Sequence, residues 1–156
     1  MTDRELPSRR HLRRLQRIWT EDPVFFVTVC AVGRQAVLVP TFAPVLALGL
    51  REASQRHHWH VGRYVVMPDH LHFFCAPDAD AGTLSDFVGG FKQLSTRRAW
   101  EAGWTGKLWQ TEFFDHLLRS EESYGSKWEY VRRNPVRGGI CREPEDWPHQ
   151  GEIVIL

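Results

Sequence analysis

The sequence predicts an α+β protein with a ferredoxin-like βαββαβ sandwich, an antiparallel sheet and one additional helix near the C-terminus. Two observations support this prediction. Runs rich in β-branched and aromatic residues recur at strand length, and longer stretches between them space their apolar residues as a helix does. The chain has 156 residues, which suits a single domain over residues 1–156.

A change of apolar period marks the first strand and the first helix. Val24–Val32 is a β-branched and aromatic run bounded by proline and glycine, which predicts a buried strand. Across Thr41–His57 the apolar residues recur every three or four positions, and Pro44 falls where a first helical turn tolerates proline. We therefore expect a helix over this stretch.

A β-hairpin is predicted next. Trp59–Met67 and Leu71–Ala76 are two strand-like runs, and the second strand could begin one residue earlier, at His70. Between them, Met67-Pro68-Asp69 has the composition of a tight turn, because Pro68 cannot donate a hydrogen bond within a sheet.

Three further segments complete the predicted fold. Thr83–Glu101 has helical spacing, although Gly89-Gly90 could kink the helix, and the aromatic-rich Leu108–Leu118 is predicted to be a strand. Ser123–Arg133 is predicted to be the last helix, which Pro135 should end. The tail from residue 138 onward is predicted to be a loop.

Composition excludes several classes of protein. Hydrophobic residues make up 42% of the chain and charged residues 25%, as in ordinary globular domains, so a disordered chain is excluded. The three cysteines show no CxxC spacing, which indicates a reducing compartment and not a disulfide framework. Neither a membrane-spanning segment nor a secretory signal is evident, so we expect a cytoplasmic protein without membrane contact.

Positive charge is concentrated at the N-terminus. The net charge of the chain is +1, yet residues 1–20 hold six arginines against two acidic residues. This arm predicts contact with a polyanion, because guanidinium groups suit phosphate, although a solvated helical face would have the same composition. The residues predicted to contact DNA lie in the arm and in a second basic cluster: Arg9, Arg10, Arg13, Arg14, Arg17, Lys92, Arg97 and Arg98.

Two histidines are placed to share one face of the predicted third strand. His70 and His72 flank Leu71, so in an extended strand their side chains point to the same side, about 6.8 Å apart. Paired imidazoles are candidate metal ligands, but two hydrogen-bonded strand histidines would give the same pattern. A rival group lies at a helix-to-strand junction, where the backbone would direct the side chains apart, and comprises His57, His58 and His60.

A tyrosine and an asparagine form a second pair. Tyr130 and Asn134 are four residues apart, which on a helix is about 40° around the axis and about 6 Å along it. Taken alone, the tyrosine could simply pack, and the asparagine could serve as a turn residue before proline. Combined with the histidine pair, they suggest a metal held by imidazoles and an amide oxygen, beside a phenol that attacks phosphorus in a transesterification.

Three ordered blocks of the sequence resemble the REP-associated tyrosine transposases, a group of single-tyrosine HUH transposases. The blocks read MPDHLHFF from Met67, WQTEFFDH from Trp109 and YVRRNPVRGGI from Tyr130. The likeness runs from about residue 10 to about residue 147, which is nearly the whole chain. Three blocks in order are far more specific than any one of them.

The resemblance implies roles for four residues. His70, His72 and Asn134 would be the protein ligands of a Mg²⁺ or Mn²⁺ ion, and Tyr130, on the added C-terminal helix, would be the nucleophile. It also implies a single-stranded DNA substrate with a hairpin and a neighbouring tetranucleotide, cut to leave a 5′-phosphotyrosine and a 3′-hydroxyl.

Two other functions remain open at this point. The chain could be a DNA-hairpin-binding protein without catalysis, or a metal-dependent phosphoester hydrolase in which water is the nucleophile. Asp115 and His116 lie in one of the matching blocks, where either a structural role or a direct one is compatible with the pattern. The sequence is compatible with a monomer or a homodimer.

Overall fold

The computed structural model of the protein describes residues 23–119 and 121–156, so the predicted arginine-rich arm lies outside the described residues. The described strands are β1 (Val24–Cys30), β2 (Trp59–Val66), β3 (His70–Pro77), β4 (Phe114–Leu118) and β5 (Gln150–Glu152). The α-helices are α1 (Ala43–His57), α2 (Leu84–Glu101), α3 (Glu121–Val131) and α4 (Asn134–Arg137). None of the described helices has the length and apolar character of a membrane-spanning segment.

The strands form one antiparallel sheet in the order β4-β1-β3-β2-β5. Its first four strands have the arrangement of a ferredoxin-like sandwich, which confirms the predicted α+β fold class. Helix α1 connects β1 to β2 and helix α2 connects β3 to β4, so both crossovers lie where the apolar periods predict them.

One face of the sheet is covered by α1 and α2. The larger core lies there, and its fully buried side chains include Phe25, Leu50, Phe73 and Phe91. Helix α2 begins at a cap in which the Thr83 hydroxyl accepts a hydrogen bond from the backbone N–H of residue 86 at 3.0 Å.

Helix α2 continues through the two glycines that could have kinked it. The glycine at position 90 instead permits a close approach of the two helices, because a Cβ there would overlap the ring of His57 from α1. The glycine at position 90 thus serves helix packing, which the helical period of one segment does not reveal.

Helix α3 packs on the opposite face of the sheet. The ring of Phe74 from β3 lies 4.7 Å from the Tyr124 ring and 6.2 Å from the Trp128 ring, measured between centroids. The guanidinium of Arg63 from β2 lies over the same two rings, 5.3 Å from the centroid of Trp128. These contacts, together with buried Val131, hold the helix against the sheet of its own chain.

The predicted strand over Leu108–Leu118 is wrong for its first half. Strand β4 covers only residues 114–118, while Trp109 makes an isolated bridge with Ala31. The ammonium of Lys92 donates hydrogen bonds to the backbone carbonyls of residues 110, 111 and 112 at 2.8 to 3.0 Å. The aromatic content of this segment therefore reflects burial of Trp109 and not a continuous strand.

The C-terminal region also differs from the prediction. Helix α3 ends at Val131, and Pro135 lies in the first turn of the separate short helix α4. Tyr130 and Asn134 are thus not on one continuous helix. The tail predicted to be a loop contributes β5 at the edge of the sheet, and the buried Trp147 indole donates to the Val66 carbonyl at 3.0 Å.

Candidate active site

The two histidines of β3 share one face of the sheet, as their alternation predicts. The ring centroids of His70 and His72 are 4.6 Å apart. The ring of His72 also stacks on Phe26 from β1, with 5.0 Å between centroids. The next alternate position on this face is Phe74, so the strand offers no third imidazole there. Its ring packs beneath α3 in the smaller core.

Each imidazole is held through its Nδ1 atom. His70 Nδ1 lies 2.7 Å from Asp69 Oδ1, and His72 Nδ1 lies 2.8 Å from the hydroxyl of Thr28. Asp69 Oδ2 in turn accepts a hydrogen bond from Arg34 Nε at 3.0 Å. When His70 is neutral and donates from Nδ1 to the carboxylate, its Nε2 atom carries the lone pair that a metal would bind.

The surroundings of His72 and Asp69 shift the pKa values of both side chains. The pKa of His72 is lowered to about 3, mainly by burial and further by repulsion from Lys127 and from His70 when that ring is protonated. His72 is therefore a neutral imidazole near neutral pH, the form that binds metals. Burial alone would raise the pKa of Asp69, but His70 and Arg34 lower it below its usual range, so this carboxylate is ionised.

Tyr130 and Asn134 meet the histidine pair in one open cleft of about 380 Å³. The polar residues that line the cleft are His70, His72, Lys127, Tyr130 and Asn134. Its apolar wall consists of Phe26, Met67 and Val131. Although α3 and α4 are separate helices, the turn between them thus keeps the phenol and the amide on one cleft. Tyr130 is 61% exposed, so a strand of DNA could reach its hydroxyl.

Arg137 links the phenol and the amide. Its guanidinium carbon lies 3.9 Å from the centroid of the Tyr130 ring, and Nη2 donates to the Tyr130 carbonyl at 2.6 Å. Nη2 also donates to Asn134 Oδ1. Because a guanidinium can only donate, this contact fixes the Asn134 oxygen and not its NH₂ group toward Arg137. The oxygen has a second lone pair available to a ligand.

The donor set fits a divalent cation with few protein ligands. In the described residues there is no group of three histidine, cysteine, aspartate or glutamate side chains that could hold a metal. Two imidazoles and the Asn134 oxygen at one cleft are the donors that remain. Imidazole favours zinc, copper or iron and amide oxygen favours magnesium or manganese, so the chemistry of the donors does not select one metal.

The rival histidine group does not form a site in the part of the chain that the structure describes. His57 packs against α2, and its ring lies 6.3 Å from that of Phe87. His58 lies 3.7 Å from a carboxylate oxygen of Asp78, and the exposed His60 is the second residue of β2. Their divergence follows from the left-handed backbone of His58, which ends α1 at φ 57°.

The predicted second basic cluster is divided by the fold. Lys92 is bound to three carbonyls, and Arg98 forms an ion pair with Glu52 of α1. Arg97 is exposed and lines a groove between α1 and α2 together with Arg56 and His57. The contact of all three basic residues with DNA stays a prediction.

Asp115 and His116 lie on β4 and do not line the cleft. His116 pairs in register with Phe26, so its side chain is on the cleft side of the sheet, whereas Asp115 pairs with Val27 of the larger core. Both residues are exposed.

Sequence reasoning missed the residues that support the site. Asp69 precedes His70 directly, so its neighbourhood could have been noticed, but Thr28 comes into contact only through the pairing of β1 with β3. Lys127 is one helical turn before Tyr130, a spacing that predicts a shared face. Arg137 follows the break between α3 and α4, which the sequence did not predict.

The family model described as "Transposase IS200 like" matches residues 24–133. The match covers more than half of the chain, and the protein belongs to this transposase family. The cleft with its histidine pair and exposed tyrosine lies on that fold.

Relatives within the family make the likeness more specific. The REP-associated tyrosine transposase of Escherichia coli strain K12 is 24% identical over 134 residues, which is 85% of this chain and 78% of that protein. A solved structure of a REP-associated tyrosine transposase bound to a REP hairpin superposes with a TM-score of 0.72 and 23% identity, covering 81% of this chain and 74% of that one. A crystal structure from Deinococcus radiodurans gives a TM-score of 0.57 at 23% identity, over 74% of this chain and 92% of that one. The resemblance to REP-associated tyrosine transposases is therefore confirmed.

Proposed function

We propose that the protein is a metal-dependent endonuclease and strand transferase of single-stranded DNA. It would act beside hairpins of the REP type, through a 5′-phosphotyrosine intermediate. The observation that supports this proposal is the cleft that collects His70, His72, Tyr130 and Asn134 within one chain. The hairpin substrate is suggested by the solved relative whose name states that it is bound to a REP hairpin.

The cleft is suited to an exchange of one phosphodiester for another. The Tyr130 hydroxyl loses its proton and forms a bond to phosphorus while the bond from phosphorus to the 3′ oxygen breaks. The 3′ oxygen takes up a proton and leaves as the hydroxyl of the upstream fragment, and the downstream fragment stays linked to the tyrosine through its 5′ phosphate. Because the link keeps the energy of a phosphodiester, a DNA 3′-hydroxyl can reverse the attack and join a new end.

His70, His72 and Asn134 would hold a Mg²⁺ or Mn²⁺ ion beside this phosphodiester. A bound ion of this kind supplies Lewis-acid polarisation of the phosphate and neutralises charge on the leaving oxygen. The Asp69 and Thr28 contacts fix the orientation of the two imidazoles before any ion binds. Arg137 holds the Asn134 oxygen and packs over the Tyr130 ring, which restricts both groups to the cleft.

The proposal is tested by trapping the covalent intermediate. The protein is incubated with Mn²⁺ and an end-labelled hairpin oligonucleotide that has single-stranded flanks, and the adduct is followed by denaturing gel electrophoresis. We expect Tyr130→Phe to abolish the adduct, because the reacting oxygen is removed. Tyr64→Phe is the matched control, since Tyr64 lies outside the cleft, and it should form the adduct as the unchanged protein does.

Other outcomes separate the alternatives. Tight binding of the hairpin without any adduct would indicate a DNA-binding protein that lacks catalysis. Strand cleavage that survives Tyr130→Phe but not His70→Ala would indicate a hydrolase in which water attacks. Either result would overturn the tyrosine mechanism.

A further inference from the structure

Lys127 is a charged side chain of the cleft for which the chemistry above has no role. Among the described residues that line the cleft, it alone contributes a lysine, arginine or carboxylate charge. It lies three residues before Tyr130 on α3, so both side chains emerge on one face of the helix.

The ammonium of Lys127 is close to the groups that would react. Its Nζ atom lies 5.9 Å from the centroid of the Tyr130 ring and 4.7 Å from that of Phe26. Phe26 stacks on His72, so the lysine reaches across the apolar wall toward the imidazole pair.

No acidic side chain among the described residues forms an ion pair with this ammonium. The ion pairs of the described side chains use other basic residues, and none of them includes Lys127. Half-buried and beside two aromatic rings, an ammonium without a carboxylate attracts an anion more strongly than one in bulk water. The anion that the proposed reaction brings to this place is a phosphodiester.

We infer that Lys127 is a further catalytic residue, whose ammonium binds a non-bridging oxygen of the phosphodiester that Tyr130 attacks. The inference rests on the proposed function. As the bond to the tyrosine oxygen forms, negative charge increases on the non-bridging oxygens, and a donor already in place stabilises that charge. The contribution inferred for the lysine is electrostatic and positional, and it transfers no proton.

The contact is tested by neutralising the DNA and the protein in turn. In the non-cleaving Tyr130→Phe background, binding is measured for hairpin oligonucleotides with one methylphosphonate at successive linkages of the single-stranded flank. At one linkage we expect neutralisation to weaken binding about tenfold. With Lys127→Met added, which keeps the aliphatic stem against Phe26, that same neutralisation should change the affinity less than about twofold, because the charge it would meet is gone.

Two further variants complete the design. Lys107→Met is the matched control, because Lys107 bonds to Thr111 away from the cleft and the sensitivity to methylphosphonate should persist. Lys127→Arg retains the charge, so it should retain the sensitivity and serves if the methionine variant does not fold. With Tyr130 present, Lys127→Met should slow adduct formation about 100-fold at saturating DNA.

The results distinguish this inference from the proposed function. Adduct formation at an unchanged rate in Lys127→Met, with the methylphosphonate effect intact, would overturn the role of the lysine and leave the tyrosine mechanism standing. No adduct from the unchanged protein, or no binding of the hairpin, would contradict the proposed function and the inference with it.

Discussion

The contact between Asp69 and His70 fixes the ring of His70, as the Thr28 hydroxyl does for His72. Asp69 bridges Arg34 and His70, with 3.0 and 2.7 Å between the bonded atoms. Arg34 adopts a left-handed backbone (φ 54°), which costs energy for a residue other than glycine. The turn in this form places its arginine on the carboxylate that contacts the imidazole of His70.

We predict that Asp69→Asn weakens binding of Mn²⁺ by about 10- to 100-fold, because the loss of the carboxylate lowers the basicity of His70 and loosens its ring. The measurement is isothermal titration calorimetry of the DNA-free protein with MnCl₂. Asp80→Asn, in an exposed turn away from the cleft, is the control and should bind as the unchanged protein does. Equal affinity in the two variants would contradict the supporting role of Asp69.

The histidines of the candidate site could be predicted from the sequence, whereas the support of His72 by Thr28 could not. Alternation along one strand is a local property, and it places His70 and His72 on the same face. The contact of Thr28 with His72 depends on the register between β1 and β3, which brings together residues 44 positions apart. No local pattern carries that information.

The packing of α1 against α2 gives two adjacent basic residues of α2 different surroundings. Arg98 pairs with Glu52 of the neighbouring helix, whereas Arg97 is exposed in the groove with Arg56. Arg98 therefore joins the two helices, whereas Arg97 is available to a phosphate.

We expect the two glutamine substitutions in α2 to change different quantities: one changes DNA binding and the other changes stability. Arg97→Gln should weaken hairpin binding and reduce the slope of log K against log salt by about 1, without changing the unfolding free energy. Arg98→Gln should lower the unfolding free energy by about 1 kcal/mol, because Glu52 loses its partner, and leave the salt slope unchanged. Fluorescence anisotropy across salt concentrations and urea denaturation measure the two quantities.

Each of these variants is the control for the other, since they remove the same charge from adjacent positions. The assignment would be contradicted if Arg98→Gln reduced the salt slope and Arg97→Gln did not.

Elements with a strong period were predictable, and those without one were not. Helices α1 and α2 were predicted to within two residues of their ends, because their apolar spacing extends over four turns or more. Strand β5 has three residues, too few to show alternation, and it forms because β2 offers a free edge. In the first half of Leu108–Leu118, Trp109 is buried in the core without belonging to a strand. Composition alone does not distinguish a buried loop residue from a strand residue.

The cleft combines parts of the chain that are distant in sequence. The histidines come from β3, and Tyr130 comes from α3, about 60 residues later in the chain. The packing of Phe74 against Tyr124 and Trp128 brings α3 to the sheet of the same chain. Among the described residues, the histidine pair, Tyr130 and Asn134 therefore meet within one chain, an arrangement that the sequence left open.

A complete site within one chain predicts that two differently inactivated copies cannot restore each other. Tyr130→Phe lacks the nucleophile and His70→Ala lacks an imidazole, so no single chain in a mixture of them has both groups. We expect adduct formation by the mixture to equal the background of the separate variants at every protein concentration. If α3 completed a partner's site, random pairing in a dimer would restore about a quarter of the sites of the unchanged protein. A mixture of Tyr130→Phe with the unchanged protein is the control, and recovery approaching that quarter in the test mixture would show that the helix is exchanged between copies.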